Sequence, residues 1–160
     1  MKARATPASR APTALLDVNF LIALIDGNHQ FNSSAHAWFR LNRAKGWATC
    51  PLTENGCIRI LSKPGYPFPG LTSERVQAIL AELTRLEGHR FWADSVSILE
   101  PGLFQLSGIA PKHLTDLYLL GLAVRQGGKL VTFDRSIPWQ AVTGSTPASL
   151  EVLRGDLAAN

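Results

Sequence analysis

Five short apolar runs alternate with segments of helical period along this chain, and that alternation leaves few folds open to it. The runs lie at 13–16, 47–50, 90–93, 129–133 and 150–153. Each is too short for a self-standing helix and reads as a strand. Between them the pattern predicts a helix over 20–25, one capped by Ser33 and running to about Arg43, and one capped by Thr53 that carries Glu54, Ile58 and Leu61. Two more follow, over 73–87 and, capped by Thr115, over 116–125. Gly46, Gly88 and the pair Gly127 and Gly128 supply stops, and KPGYPFPG at 63–70 is a loop. Strands separated by helices need crossover connections, so the strands run parallel and helices cover both faces. The expected fold is α/β, a three-layer α/β/α domain around a mainly parallel sheet of about five strands.

A chain of 160 residues needs only one such domain, which can hide roughly 70% of its unfolded surface without metal or disulfide staples. The domain is expected over 13–156, with a flexible basic N-terminus at 1–12 and a flexible C-terminus at 157–160. Hydrophobic residues make up 46% of the sequence and charged ones 18%, which excludes a disordered chain. Cys50 and Cys57 are too few for a disulfide framework and lack the close pairing of zinc sites, so both read as reduced packing residues of a cytoplasmic protein. No apolar run approaches the roughly 20 residues of a bilayer span, and no signal-peptide core follows the basic N-terminus. No membrane partner is expected. A net charge of +4 favours polyanionic partners without identifying one.

The candidate chemistry lies in four acids. In an open parallel sheet, sites form beyond the carboxyl ends of the strands. Asp17 and Asp134 directly follow strands, while Glu54 and Asp116 open helices. Singly, each has an ordinary explanation: a first-turn acid complements the helix dipole, and an aspartate after a strand makes a turn. Gathered in one cleft, four carboxylates repel one another unless protons or a cation compensate. Oxygen ligands without a histidine or cysteine companion suit Mg²⁺, with Mn²⁺ as a substitute, better than zinc.

The segments LLDVNFLIAL, PLTENGCIRIL, HLTDLYLLGLA and KLVTFDRS resemble the four acidic motifs of PIN-domain nucleases, in the manner of VapC-type toxins. The resemblance runs from about Thr13 to Leu153, in order and in matching strand or helix context. It implies a metal-dependent endoribonuclease in which Asp17, Glu54, Asp116 and Asp134 hold one or two Mg²⁺ or Mn²⁺ ions. It also implies in-line attack of water on an RNA phosphodiester, leaving a 5′-phosphate and a 3′-hydroxyl, with tRNA or rRNA as the substrate class. Asn19, two places after the first aspartate, would orient a carboxylate or a water, and Thr132 would support the same acids from behind. A cognate VapB-like antitoxin that wraps the toxin and sets a basic side chain among the acids, and a homodimer, are further expectations of that family.

Around these acids, Arg135 and Lys112 are expected to hold phosphates, with Arg40, Arg43 and Arg59 also available. His29, His36, His89 and His113 show no clean ligand spacing and are assigned to no metal, although His113 lies three residues before Asp116. Trp38, Trp47, Trp92 and Trp139 read mainly as core, with base stacking an alternative for Trp139. Other readings stay open at this stage: a PIN-type RNA-processing nuclease outside a toxin pair, or a PIN-like module that binds without cutting. A phosphatase using Asp17 as nucleophile is disfavoured, because Asn19 stands where such loops carry a second aspartate.

Overall fold

In the computed structural model, which describes residues 10–155, the strands are β1 (Ala14–Leu16), β2 (Trp47–Thr49), β3 (His89–Phe91), β4 (Lys129–Thr132) and β5 (Leu150–Val152). They form one sheet in the order β3-β2-β1-β4-β5, and every pairing is parallel. The helices are α1 (Val18–Ile25), α2 (Asn32–Asn42), α3 (Pro51–Leu61), α4 (Ser73–Leu83) and α5 (Leu114–Arg125). The termini expected to be flexible lie largely outside the described residues. Among the described residues, no helix is long and apolar enough to cross a membrane.

Alternation along the strands divides the core in two. Ala14, Leu16, Trp47 and Val131 point into one apolar cluster with α1 to α4, while Leu15, Ala48 and Leu130 point into another under α5. A period of two residues sends neighbours to opposite faces, so both faces need cover and the three-layer arrangement follows. On the first side an aromatic row fixes the carboxyl end of β4. Phe133 stacks on Phe31 at 4.4 Å and on Phe20 at 5.6 Å, and Phe20 meets Trp38 edge-on at 5.3 Å.

The expected strands and helices are all present, but several boundaries move. Thr53 does not cap α3: Pro51 opens that helix and Cys50 holds the cap position, with the Cys50 N–H donating to Thr53 Oγ1 at 3.0 Å. Proline is suited to a first helical position, where its missing N–H has no partner to lose. Ser33 lies inside α2, which starts at Asn32, whose side chain donates to the Ala23 carbonyl at 2.7 Å. Thr115 lies inside α5, with His113 at the cap position.

Helix α4 stops at Leu83, short of the expected Glu87, and β3 starts one residue early at His89. The connection is drawn onto the sheet by the Trp47 indole, which donates to the Glu87 carbonyl at 3.0 Å. Gly88 then turns with φ +86°, and a Cβ there would stand 1.9 Å from the Arg43 carbonyl oxygen. Only glycine fits that approach.

Candidate active site

The strand order reverses at β1, whose neighbours are β2 on one side and β4 on the other, and a crevice opens beyond their carboxyl ends. The β1–β4 register pairs Leu16 with Val131, and the Asp17 N–H continues the ladder by donating to the Val131 carbonyl at 3.1 Å. Asp17 is thereby set beside Thr132. The Thr132 hydroxyl donates to Asp17 Oδ2 at 2.8 Å and accepts the Asp134 N–H at 3.0 Å. One buried hydroxyl positions two acids that are far apart in sequence.

Asp17 occupies the cap position of α1, where its carbonyl accepts the Phe20 and Leu21 N–H while its side chain makes no capping bond, and the carboxylate lines the crevice. It is 3% exposed, and burial raises its pKa despite the Thr132 bond, with the Asp134 charge acting in the same direction as burial. Asp116, in the first turn of α5, is half-buried. Burial, followed by the charges of Asp17 and Asp134, pushes its pKa from 3.8 up to about 7. Asp134 is held below the ordinary range by the Ser136 hydroxyl, which donates to its Oδ1 at 2.6 Å while the Ser136 N–H donates to the same oxygen at 2.7 Å. The charges of His113 and Lys112 act in the same direction.

Three acids are therefore in electrostatic contact. Asp17, Asn19, Gly56, Arg59, Thr115 and Asp116 line a hollow of about 220 Å³. Ligand atoms of His113, Asp116 and Asp134 all lie within 4.8 Å of one another, near enough for small side-chain rotations to bring them onto one cation. This is a candidate metal site in its donor chemistry.

Glu54 does not join this group. Its Oε1 accepts the Thr49 hydroxyl at 2.6 Å, and Thr49 Oγ1 lies 2.8 Å from His89 Nε2, so Glu54 faces the β2–β3 edge and α4. It is not among the charges that shift Asp17, Asp116 or Asp134. Burial lowers the His89 pKa, and the Glu54 charge opposes that shift. The α3 residues that line the hollow with Asp17 and Asp116 are Leu52, Gly56, Arg59 and Ile60, and Gly56 is about 200° around the helix from Glu54. A Cβ on Gly56 would meet Val18 Cγ2 at 2.9 Å.

Of the other residues singled out, Asn19 is exposed and opens onto the hollow, and Thr132 is fully buried behind it. Lys112 is exposed in the short 3-10 turn before α5 and bears on Asp134, while Arg135 is exposed between Asp134 and Ser136. Trp139 is half-buried against the α5-side core. Cys50 and Cys57 are free and buried, and burial pushes their thiols up to about 11 and about 12.

Sequence reasoning noted His113 three residues before Asp116 but assigned it to no metal, and it passed over Ser136. The D-x-S spacing of Asp134 and Ser136 is a local turn signal that identifies Ser136 in retrospect. His113 joins its partners only through the meeting of α5 with β4.

No family model matches the chain. Curated relatives do. The chain is 43% identical to the ribonuclease VapC44 of Mycobacterium tuberculosis over 141 residues, which cover 88% of this chain and 99% of that one. It is 41% identical to the ribonuclease VapC39 of the same organism over 82% of this chain and 96% of that one. Among solved structures, the crystal structure of Mycobacterium tuberculosis VapC20, a sarcin–ricin loop cleaving toxin, superposes with a TM-score of 0.59 at 11% identity, over 84% of this chain and 100% of that one. That likeness bears on the fold, and the sequence relatives bear on the family. Strand-end acids, an all-parallel sheet and near-complete alignment with ribonucleases agree, and the chain belongs to the VapC family of PIN-domain ribonuclease toxins.

Proposed function

We propose that this toxin is a Mg²⁺-dependent endoribonuclease, with Mn²⁺ as a substitute, that hydrolyses phosphodiesters of a structured RNA of the tRNA or rRNA class. The observation that carries the reading is the convergence of Asp17, Asp116 and Asp134, with Asp116 raised to about 7 by burial and then by the charges of the other two. The repulsion in such a cluster is relieved by a proton or by a cation, and a bound cation lets all three acids stay ionised. Asp17, Asp116 and Asp134 would hold that cation, and the residues fit the role: all are oxygen donors, and Thr132 and Ser136 fix two of them in place. When bound, the ion supplies positive charge for the phosphodiester and acidifies water.

The chain's own side chains do the remaining work. Thr132 keeps Asp17 and the Asp134 backbone in register. Arg59, Lys112 and Arg135 are exposed near the crevice and attract the RNA backbone, and Asn19 opens onto the hollow from the start of α1. Glu54 is assigned a different task from the one its sequence position suggested, that of bracing β2 against β3 through Thr49 and His89.

A VapB-like antitoxin is the proposed silencing partner. An apolar groove of about 480 Å³ between α2 and α4, lined by Leu24, Ile25, Phe39, Ile79 and Leu83 with Arg40 and Arg43 among them, offers a surface for an acidic amphipathic segment. The free thiols of Cys50 and Cys57 support a cytoplasmic location, and a homodimer is proposed from the family resemblance alone.

The test is cleavage of total RNA by the purified chain, with the new ends sequenced. Cleavage that stops in chelator, returns with Mg²⁺ or Mn²⁺ and leaves 5′-phosphates is expected. Cleavage that persists in chelator, or in Asp116→Asn, would overturn the proposal.

A further inference from the structure

His113 caps α5 one turn before Asp116 and is 9% exposed. One of its ring nitrogens lies within 4.8 Å of carboxylate oxygens of both Asp116 and Asp134. Its Nδ1 is fully buried and has no hydrogen-bond partner among the described residues. A buried polar atom left without a partner is costly, and native structures rarely leave one without a reason. The other described histidines are engaged elsewhere: His36 with the Leu24 carbonyl, His89 with Thr49, and His29 with the Phe31 N–H.

We propose that His113 is a direct nitrogen ligand of the cation held by Asp116 and Asp134, so that the site is a mixed nitrogen and oxygen set. The inference rests on the reading of the acids as a cation site and adds a ligand to it. Two independent features support it. The imidazole is placed by the same helix start that places Asp116, so a single backbone turn delivers both donors. The α3 residues lining the hollow, Leu52, Gly56, Arg59 and Ile60, bring no carboxylate, and the histidine supplies a donor from a different element.

A neutral imidazole is a softer donor than a carboxylate. It strengthens binding of ions of the transition series relative to Mg²⁺, which prefers oxygen and sheds its waters reluctantly. The consequence is selectivity: Mn²⁺ binds this chain with a preference over Mg²⁺ that depends on His113.

Pulsed electron paramagnetic resonance on the full chain loaded with Mn²⁺ alone tests this without reference to RNA cleavage. The expected result is nitrogen-14 modulation from a directly bound imidazole, absent in His113→Gln. That substitution should also lower the Mn²⁺-over-Mg²⁺ affinity ratio by about 10-fold or more. His113→Asn, with an amide oxygen near the Nδ1 position, provides a second variant should the first unfold, and the wild-type spectrum is decisive without either. Mn²⁺ bound with no directly coordinated nitrogen, and lost in Asp116→Asn, would overturn the histidine ligand while leaving the acidic site standing. A wild-type chain that binds no Mn²⁺ would overturn both.

Discussion

Thr132 and Asp17 are joined by a 2.8 Å hydrogen bond across 115 positions of sequence, and the same hydroxyl receives the Asp134 N–H. Thr132 is fully buried, so no water replaces the bond if it is removed. Thr132→Val keeps the β-branched shape that suits a strand and deletes only the hydroxyl. The expected outcome is a loss of about 1 kcal/mol in stability and a fall in cleavage rate of roughly 10- to 100-fold. Thr132→Ser should restore most of both. Thermal unfolding and single-turnover cleavage check the pair, and a Thr132→Val enzyme as fast as wild type would remove Thr132 from the site.

Asp116 links stability to function through its charge. Its folded pKa of about 7 lies above the ordinary 3.8, so the folded state holds its proton more tightly than the unfolded chain does. For such a group the sign of the linkage is negative: without cation, stability falls as pH rises from about 4 to about 7. Asp134, whose pKa is depressed, acts in the opposite sense, and its contribution is lost only as pH falls below the ordinary carboxylate range. Asp116→Asn should therefore raise the stability of the cation-free protein near pH 8 by about 0.5–2 kcal/mol while abolishing cleavage. Melting curves of both proteins from pH 5 to pH 8, with and without Mg²⁺, measure it; curves that stay parallel at every pH would show that Asp116 carries no unmet charge.

Glu54 and Gly56 separate what the chain reveals by itself from what only the fold decides. Glu54→Gln is predicted to keep Mn²⁺ affinity and cleavage within about threefold of wild type, because its bond runs to Thr49 and not to the crevice. Gly56→Ala should be harmful instead. Its Cβ would press on Val18 beside Asp17, where overpacking costs about 1–3 kcal/mol and outweighs the gain in helix propensity. Manganese titration and unfolding of the two variants distinguish the faces of α3; a Glu54→Gln chain that no longer binds Mn²⁺ would reverse the assignment.

Much of the architecture was legible because parallel α/β order is written in periodicity. The acid ending β1 and the acid following β4 are placed by strand direction alone, which sends Asp17 and Asp134 to the same end of the sheet. Helices are different, since an acid in a first turn can project to any side until the phase of the helix is known. Placing the α3 cap at Thr53 rather than Cys50 left that phase undetermined, and with it the bond of Glu54 to Thr49 and the place of Gly56 on the hollow. His113 was noted beside Asp116 but assigned to no metal for a related reason. Its spacing to Asp116 is local, but Asp134 reaches it from another strand, and no linear ligand motif records a meeting of that kind.

The basic residues around the crevice yield the last prediction. Arg59 lines the hollow beside Asp17 and Asp116 yet is exposed, and Lys112 bears on Asp134 from the turn before α5. Cations so placed contact a polyanion without being fixed by the protein, so their contribution is a matter of long-range attraction and counterion release. Arg59→Ala and Lys112→Ala are each expected to raise KM by several-fold with kcat changed less than twofold, and to reduce the slope of log KM against log salt by a little under 1 per residue removed. Thermal stability should move by no more than about 0.5 kcal/mol, as for exposed side chains generally. Cleavage measured from 50 to 200 mM salt separates this from a catalytic role. A variant that lost kcat at every salt concentration while keeping its KM would place that residue at the reacting phosphate instead of along the approach to it.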